Sequence, residues 1–186
     1  GNVKWKSAKE YYQHLDTVPV GPNIASFIGH SNVRIAAMGL ERSFMEKEAS
    51  PEELKKMEAI VEEAIEAGFL GMSIDMLPFH RWAGVFNQKY TGVSVPSQRA
   101  AKSEYYKLAD VLRKHNRVLQ ITPNAVDKTS FVTIMRLSQG GFFKKSLRTT
   151  IVAALDLKSN ERIYKLLKLL GFLGNDVLGA QMKFQT

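Results

Sequence analysis

The sequence contains no cysteine, which excludes disulfide bonds and thiolate metal ligands. It has no uninterrupted apolar run of about 18 residues, so no transmembrane helix is expected. The opening residues, GNVKWKSAKEYYQHL, lack the apolar region of a secretory signal peptide. No nucleophile elbow, Walker motif or dinucleotide-binding glycine pattern is present. These absences favour a reducing compartment and predict a cytoplasmic protein that does not contact membranes.

At 186 residues the chain could be one domain or a large piece of one, and we predict a single α/β unit covering residues 1–186. Hydrophobic residues make up 45% of the chain, enough for a sizeable core. The net charge is +8, from 26 Lys and Arg against 18 Asp and Glu. The basic residues are scattered, and the tightest groups, Arg113-Lys114 and Lys144-Lys145, are short. This pattern is typical of solvated helix faces, so nucleic-acid binding is not expected.

The clearest local signals lie between Ser50 and Asp75, in SPEELKKMEAIVEEAIEAGFLGMSID. Ser50 and Glu53 have the spacing of a capping box, with proline at the first helical position between them. Apolar residues then recur at three- and four-residue steps until Gly68, which suits a helix end. A short apolar strand follows at once. A helix that leads directly into an apolar strand is half of a βαβ unit, and such units build parallel sheets.

The rest of the chain repeats this alternation. We predict parallel strands at 24–29, 69–74, 118–122 and 149–155, and helices at 51–67, 98–115, 128–139 and 160–170. A short helix is expected within 4–18, a polar connection with a helical turn at 33–38 within 31–49, and a short helix near Asn175–Leu178. Four such units form either a small open α/β sheet or about half of a (β/α)₈ barrel, because complete barrels need about 200 residues or more. We predict the partial barrel.

Short motifs along the chain resemble those of the D-aminoacylase (N-acyl-D-amino-acid deacylase) branch of the amidohydrolase superfamily. The match covers residues 5–75 and, more loosely, 98–122. The matching residues are Trp5, Ser7, Tyr11, Asn23-Ile24-Ala25, Gly29-His30-Ser31-Asn32-Val33-Arg34, Ala37-Met38-Gly39, Glu52-Glu53-Leu54, Met57, Glu63-Ala64, Ala67-Gly68 and Leu70-Gly71-Met72-Ser73. No single piece is specific, and it is the order of the whole set that carries the resemblance.

The resemblance implies a zinc-dependent hydrolase that cleaves the amide of a small-molecule N-acyl-D-amino acid with a metal-activated water. The sequence departs from the family pattern at its metal ligands. The family's early His-x-His pair is absent, since the four histidines are His14, His30, His80 and His115. A ligand histidine expected at the end of the third strand is replaced by Thr122. We therefore expect an internal fragment of a longer enzyme, with zinc in the parent and no metal ligand assigned in this chain.

Four residues are candidates for substrate binding. His30 and Arg34 follow the first strand, where barrel enzymes place active groups, and arginine can bind a carboxylate bidentately. A backbone-satisfied histidine, and an ion pair of Arg34 with a nearby glutamate (Glu41, Glu46 or Glu48), are the structural alternatives.

His80 and Arg81 lie in the long segment 76–97, on the same predicted rim. A loop of this length in a compact domain is usually functional or disordered, and its aromatic residues argue against disorder. Catalytic residues are not assigned. Other polar residues at element ends are interpreted as caps or turn residues, or left open: Asp75, His115, Thr122, Asn124 and Asp156.

The sequence therefore predicts part of an amidohydrolase that is inactive in isolation. The competing class is a non-catalytic α/β module that binds a ligand or partner on the 76–97 rim. Half of a barrel also leaves strand edges open and one sheet face uncovered. Because we expect that face to be apolar, we predict a homo-oligomer.

Overall fold

A sheet of five parallel strands forms the centre of the computed structural model, which describes residues 5–83, 88–124, 127–140, 144–152 and 163–185. The strands pair in chain order, and every pair is parallel. They are β1 (Phe27–Gly29), β2 (Gly71–Asp75), β3 (Val118–Thr122), β4 (Arg148–Ile151) and β5 (Gln181–Phe184). The predicted α/β fold with parallel strands is confirmed. Residues 153–155 of the predicted fourth strand lie outside the described residues.

The helices connect successive strands. They are α1 (Ala8–Asp16), α2 (His30–Met38), α3 (Leu40–Met45), α4 (Pro51–Glu66), α5 (Pro96–Arg99), α6 (Lys102–Lys114), α7 (Lys128–Ser138) and α8 (Ile163–Gly171), which continues as a π-helical segment, Phe172–Val177. The four predicted helices correspond to α4, α6, α7 and α8, and residues 160–162 lie outside the described part. None of the described helices is both long enough and apolar enough to cross a membrane.

Helix α4 follows the local signals of its sequence. The Ser50 side chain accepts a hydrogen bond from the Glu53 amide, and the Glu53 carboxylate accepts one from the Ser50 amide, which completes the capping box. Gly68 has φ +110°, a left-handed conformation that glycine adopts without strain. The chain turns there and enters β2, where a Cβ at Gly71 would lie 1.8 Å from the Val118 carbonyl oxygen. Only glycine allows β2 and β3 to approach this closely.

Three predictions about the connections are wrong in part. Residues 31–49 hold two helices, α2 and α3, which meet at Gly39 with φ +80°. Val33 and Phe44 are both 1% exposed, but they lie in different short helices. The sequence therefore shows no long run of apolar residues at helical spacing that would predict these helices. Segment 76–97 is partly structured, with a 3₁₀ turn at Gln88–Tyr90 followed by α5. The tail is helical at Phe172–Val177 as expected, but it then forms β5, which the sequence reading missed.

The core lies between the sheet and the helices. Right-handed connections between neighbouring parallel strands place their helices on one side of the sheet. Alternate strand residues point to that side, and they form one buried cluster with helix residues: Met72, Ile74, Leu119, Ile121, Ile151 and Met182 from the strands, and Met57, Val61, Leu108, Leu112, Ile134 and Leu137 from the helices. The helices thus pack against one face of the sheet.

The opposite face of the sheet is polar. Ser73, Gln120, Thr150 and Lys183 occupy one register row across β2, β3, β4 and β5. Ser73, Gln120 and Thr150 are half-buried and Lys183 is exposed. The expectation that the uncovered face is apolar is therefore wrong, and it no longer supports the homo-oligomer, which stays a prediction. In a closed barrel this row would face the interior.

The outer edge of β5 carries a side-chain partner. Asn175 in the π-helical segment donates its carboxamide N–H to the Met182 carbonyl at 2.9 Å. Its carboxamide oxygen accepts the Met182 N–H at 2.8 Å. The side chain thereby occupies both hydrogen-bonding groups that Met182 directs away from β4.

Candidate functional site

The carboxyl edge of the sheet carries the candidate site. Strand β2 ends at Asp75 and β3 ends at Thr122, and these two residues are register partners. Residues 76–80, which follow β2, lie at this edge and are bound by a side chain of α5. Enzymes built from parallel βα units place their reacting groups at this edge.

Asp75 and His80 form a pair at the end of β2. The Asp75 Oδ2 atom lies 2.5 Å from His80 Nδ1, and the Asp75 Oδ1 atom accepts the Leu77 N–H at 2.9 Å. Because a carboxylate only accepts hydrogen bonds, the shared proton belongs to His80 Nδ1. The His80 side chain is 54% exposed, so much of the imidazole can contact solvent or a ligand. Asp75, interpreted from the sequence as a turn cap, both caps the turn and orients the imidazole.

Side chains from α5 hold this turn in place. Gln98 donates its carboxamide to the Leu77 carbonyl at 2.5 Å and to the His80 carbonyl at 3.0 Å. Ser97 donates its hydroxyl to the Asp75 carbonyl at 2.7 Å. The position of the histidine is thus fixed from both ends of the turn, as preorganised sites require.

A second, buried cluster lies beneath this edge and contains two of the predicted site residues. His30 Nε2 lies 2.8 Å from Glu104 Oε1, and Arg34 Nη1 donates to Glu104 Oε2. Burial raises the pKa of the Glu104 carboxyl, but the hydrogen bonds and charges of His30 and Arg34 outweigh it and hold that pKa below its ordinary value. Arg34 compensates the charge of the buried carboxylate. His30 Nδ1 is buried and has no hydrogen-bond partner among the described residues.

Arg34 is also bound by backbone carbonyls. Its Nη2 atom donates to the Glu46 carbonyl at 2.5 Å and to the Lys47 carbonyl at 3.2 Å. The anticipated ion pair with a nearby glutamate is thus made with Glu104, 70 residues away along the chain, while Glu46 contributes only its backbone. His30 and Arg34 are 1% and 0% exposed. A contact of either with substrate stays a prediction.

Tyr105 connects the buried cluster to the pair on the rim. Its ring packs edge-on against His30, with centroids 5.2 Å apart. Its hydroxyl donates to the Ser97 carbonyl, and burial raises its pKa, so it stays protonated as a donor. Ser97 in turn binds the Asp75 carbonyl. The buried cluster therefore supports the residues that position His80.

Arg81 reaches the same rim. Its Nη1 atom donates to the Ser94 hydroxyl at 2.6 Å across a single antiparallel bridge between these two residues. The structure thus places His80 and Arg81 on the rim, and His30 and Arg34 below it. Sequence reasoning missed Glu104, Ser97 and Gln98, whose roles depend on contacts distant in sequence. An aspartate that ends an apolar strand five residues before a histidine was the one local signal for the Asp75–His80 pair.

The donors that the structure describes at this edge do not fit a metal centre. Within the described ranges, no group of three or more histidine, aspartate or glutamate side chains could hold a metal ion. Thr122 ends β3 where the resemblance expects a ligand histidine, and Asp156 lies outside those ranges. Asp75 and His80 provide two donors, one short of the three protein ligands of a typical catalytic zinc site.

Solved structures of similar fold were found by comparison. D-aminoacylase structures match this chain with a TM-score of 0.68 and 18% identity. The match covers 97% of this chain and 33% of the D-aminoacylase chain. One of these D-aminoacylases has a binuclear metal centre. An N-acyl-D-glutamate deacylase from Bordetella bronchiseptica, bound to zinc and a phosphonate inhibitor, matches with a TM-score of 0.67 and 17% identity over 96% of this chain. At this identity the likeness establishes the fold alone, an α/β arrangement of parallel strands that matches about a third of these chains.

Curated relatives in sequence include one protein of Mycobacterium bovis and two of Mycobacterium tuberculosis, all described as uncharacterized. Each is 33% identical over 187 aligned residues, which is 99% of this chain. The chain spans 30% of the length of these relatives. No family model matches the sequence.

Proposed function

We propose that this chain forms part of an amidohydrolase-type enzyme that hydrolyses the amide bond of N-acyl-D-amino acids. The observation that carries the proposal is the oriented Asp75–His80 pair at the carboxyl edge of a sheet whose fold resembles D-aminoacylase. Fold alone does not assign an activity, and the pair adds the chemical group that amide hydrolysis needs.

Amide hydrolysis needs two proton transfers. Water loses a proton as its oxygen attacks the carbonyl carbon, and the amine nitrogen gains one as the carbon–nitrogen bond breaks. His80 Nε2 can accept the first proton and deliver the second, because Asp75 keeps the other proton on Nδ1 and stabilises the charged imidazolium. Arg81, on the same rim, is the candidate partner for the substrate carboxylate.

Zinc, which the resemblance implies for the longer protein, stays a prediction. A site for it would need ligands from outside the described residues. The role proposed for His80 does not depend on that metal, since it concerns proton transfer at Nε2.

The test is hydrolysis of a panel of N-acetyl-D-amino acids and their L counterparts by the longer protein that contains this chain. We expect turnover of the D series and a loss of about 10²- to 10⁴-fold in kcat for His80→Gln. His115→Gln is the matched control, because His115 lies at the other end of α6 from the rim. Absence of turnover with every N-acyl amino acid would leave the alternative function, a module that binds a ligand on the 76–97 rim.

A further inference from the structure

A basic cavity lies at the amino edge of the sheet, opposite the Asp75–His80 pair. Its volume is about 240 Å³, and its cationic lining consists of Arg113, Arg117, Lys145 and Arg148. Arg117 precedes β3 directly and Arg148 begins β4, which fixes the cavity at this edge. No carboxylate is among its lining residues. The two short basic groups of the sequence, Arg113-Lys114 and Lys144-Lys145, contribute Arg113 and Lys145 to this lining.

One of the four cations is already paired. Arg113 Nη1 lies 2.6 Å from Asp110 Oδ1, and its Nη2 donates to the Leu137 carbonyl. Lys144, next to the cavity residue Lys145, is also paired with Asp110, at 2.8 Å. The position of Arg113 in the last turn of α6 further suits the negative end of the helix dipole. These contacts account for Arg113 as a structural residue.

No comparable ion pair explains the other three cations. Arg117, Lys145 and Arg148 make no ion pair within the described part of the chain. Arg148 donates to the Asn116 carbonyl at 2.5 Å. The Arg117 Nε atom is buried and has no hydrogen-bond partner among the described residues. Three uncompensated positive charges around one cavity repel each other, and a buried donor without an acceptor destabilises the fold further.

An oxyanion would resolve both problems. Guanidinium groups bind tetrahedral oxyanions through paired N–H donors, and a lysine adds a point charge. The cavity is several times larger than the roughly 30 Å³ of a single water, so a hydrated oxyanion fits. Lys145 and Arg148 are exposed, which leaves the cavity accessible from solvent.

We propose that this cavity binds a phosphate group, carried by inorganic phosphate or by a small phosphorylated molecule. The proposal is independent of the proposed function, because the cavity and the Asp75–His80 pair lie at opposite edges of the sheet. Phosphate bound here would join the loop before β3 to the starts of β4 and β5, and so would stabilise the amino edge.

The experiment is thermal unfolding of the chain in phosphate and in chloride at equal ionic strength. At ten times the dissociation constant, we expect phosphate to raise Tm by about 3–6 °C more than chloride does. The double variant Lys145→Gln/Arg148→Gln should lose this response, and its Tm in chloride should equal or exceed that of the unaltered protein, because repulsion is relieved. Lys168→Gln, an exposed lysine on α8, is the matched control and should keep the full response.

A second measurement keeps the proposal testable if the double variant does not fold. In the unaltered protein, the NMR signal of the Arg117 Nε–H should shift and saturate with phosphate but not with chloride. A nucleoside monophosphate that binds more tightly than inorganic phosphate would identify a phosphorylated molecule as the ligand, and equal affinity would identify phosphate itself. Equal effects of phosphate and chloride, or a full response in the double variant, would overturn the proposal.

Discussion

Two carboxylate–histidine pairs lie at different depths in this molecule. The Glu104–His30 pair is 2.8 Å long, and its side chains are 3% and 0% exposed. The Asp75–His80 pair is 2.5 Å long, and its side chains are 30% and 54% exposed. The two pairs use the same chemical groups, so the differences between them follow from burial and from their neighbours.

Depth determines what each pair can do. The buried carboxylate pairs with Arg34, and three backbone carbonyls also hold that arginine. The side chains of Glu104 and His30 are 3% and 0% exposed, so almost none of their surface is open to a ligand. On the rim, Asp75 contacts His80 and the Leu77 N–H, and 54% of the His80 side chain is exposed. We therefore propose that the buried pair stabilises the fold and that the rim pair is the one available for chemistry.

The largest effect is expected for Glu104→Gln. The substitution leaves the Arg34 charge buried without its carboxylate and should lower the free energy of unfolding by about 3–5 kcal/mol. Urea denaturation measures it. The double variant Arg34→Met/Glu104→Gln should be less destabilised than the sum of its single variants, because no unpaired charge remains. Additive effects would show that the two residues are not coupled.

A smaller effect should separate the two histidines. His30→Gln breaks a buried contact and should cost about 1–3 kcal/mol in the free energy of unfolding. His80→Gln alters an exposed pair and should cost less than about 1 kcal/mol. The same urea experiment compares them. Equal losses would contradict the assignment of one pair to stability and the other to chemistry.

Acid should weaken the buried pair in a defined pH window. The folded-state pKa of Glu104 lies below the ordinary value of 4.5, so its stabilising effect is complete above that value. It is lost as pH falls through the folded-state pKa and the carboxyl becomes protonated. The urea midpoint of the unaltered protein should therefore fall more steeply between about pH 5 and pH 3 than that of Glu104→Gln. Parallel pH profiles would exclude Glu104 as the titrating group.

The smallest effect is expected at a fully exposed ion pair. Lys89 Nζ lies 2.9 Å from Glu41 Oε1, and both side chains are about 70% exposed. Solvent screens such a pair, so Lys89→Gln should leave the urea midpoint unchanged within error. A clear loss at this position would mean that exposed pairs also hold the fold, and the contrast between the two depths would disappear.

Local signals predicted the fold more completely than the site. The cap at Ser50 and the turn at Gly68 are set by neighbours within a few residues, so α4 and the start of β2 could be placed from sequence. Strand β5 is four residues long and follows a glycine-rich segment, which hides its two-residue alternation. The partner of Arg34 is 70 residues away along the chain, and only the tertiary fold brings Glu104 to it.

The contact between Asn175 and Met182 means that a strand added to the sheet beside β5 must displace the Asn175 side chain. Because the carboxamide already satisfies both outward groups of Met182, an arriving strand exchanges two hydrogen bonds for two others at that position. The net gain from the backbone there is close to zero. Selection among incoming segments consequently depends on their side chains, since only a strand that also packs well can displace Asn175. At Met182, hydrogen bonds alone therefore do not favour the addition of a strand.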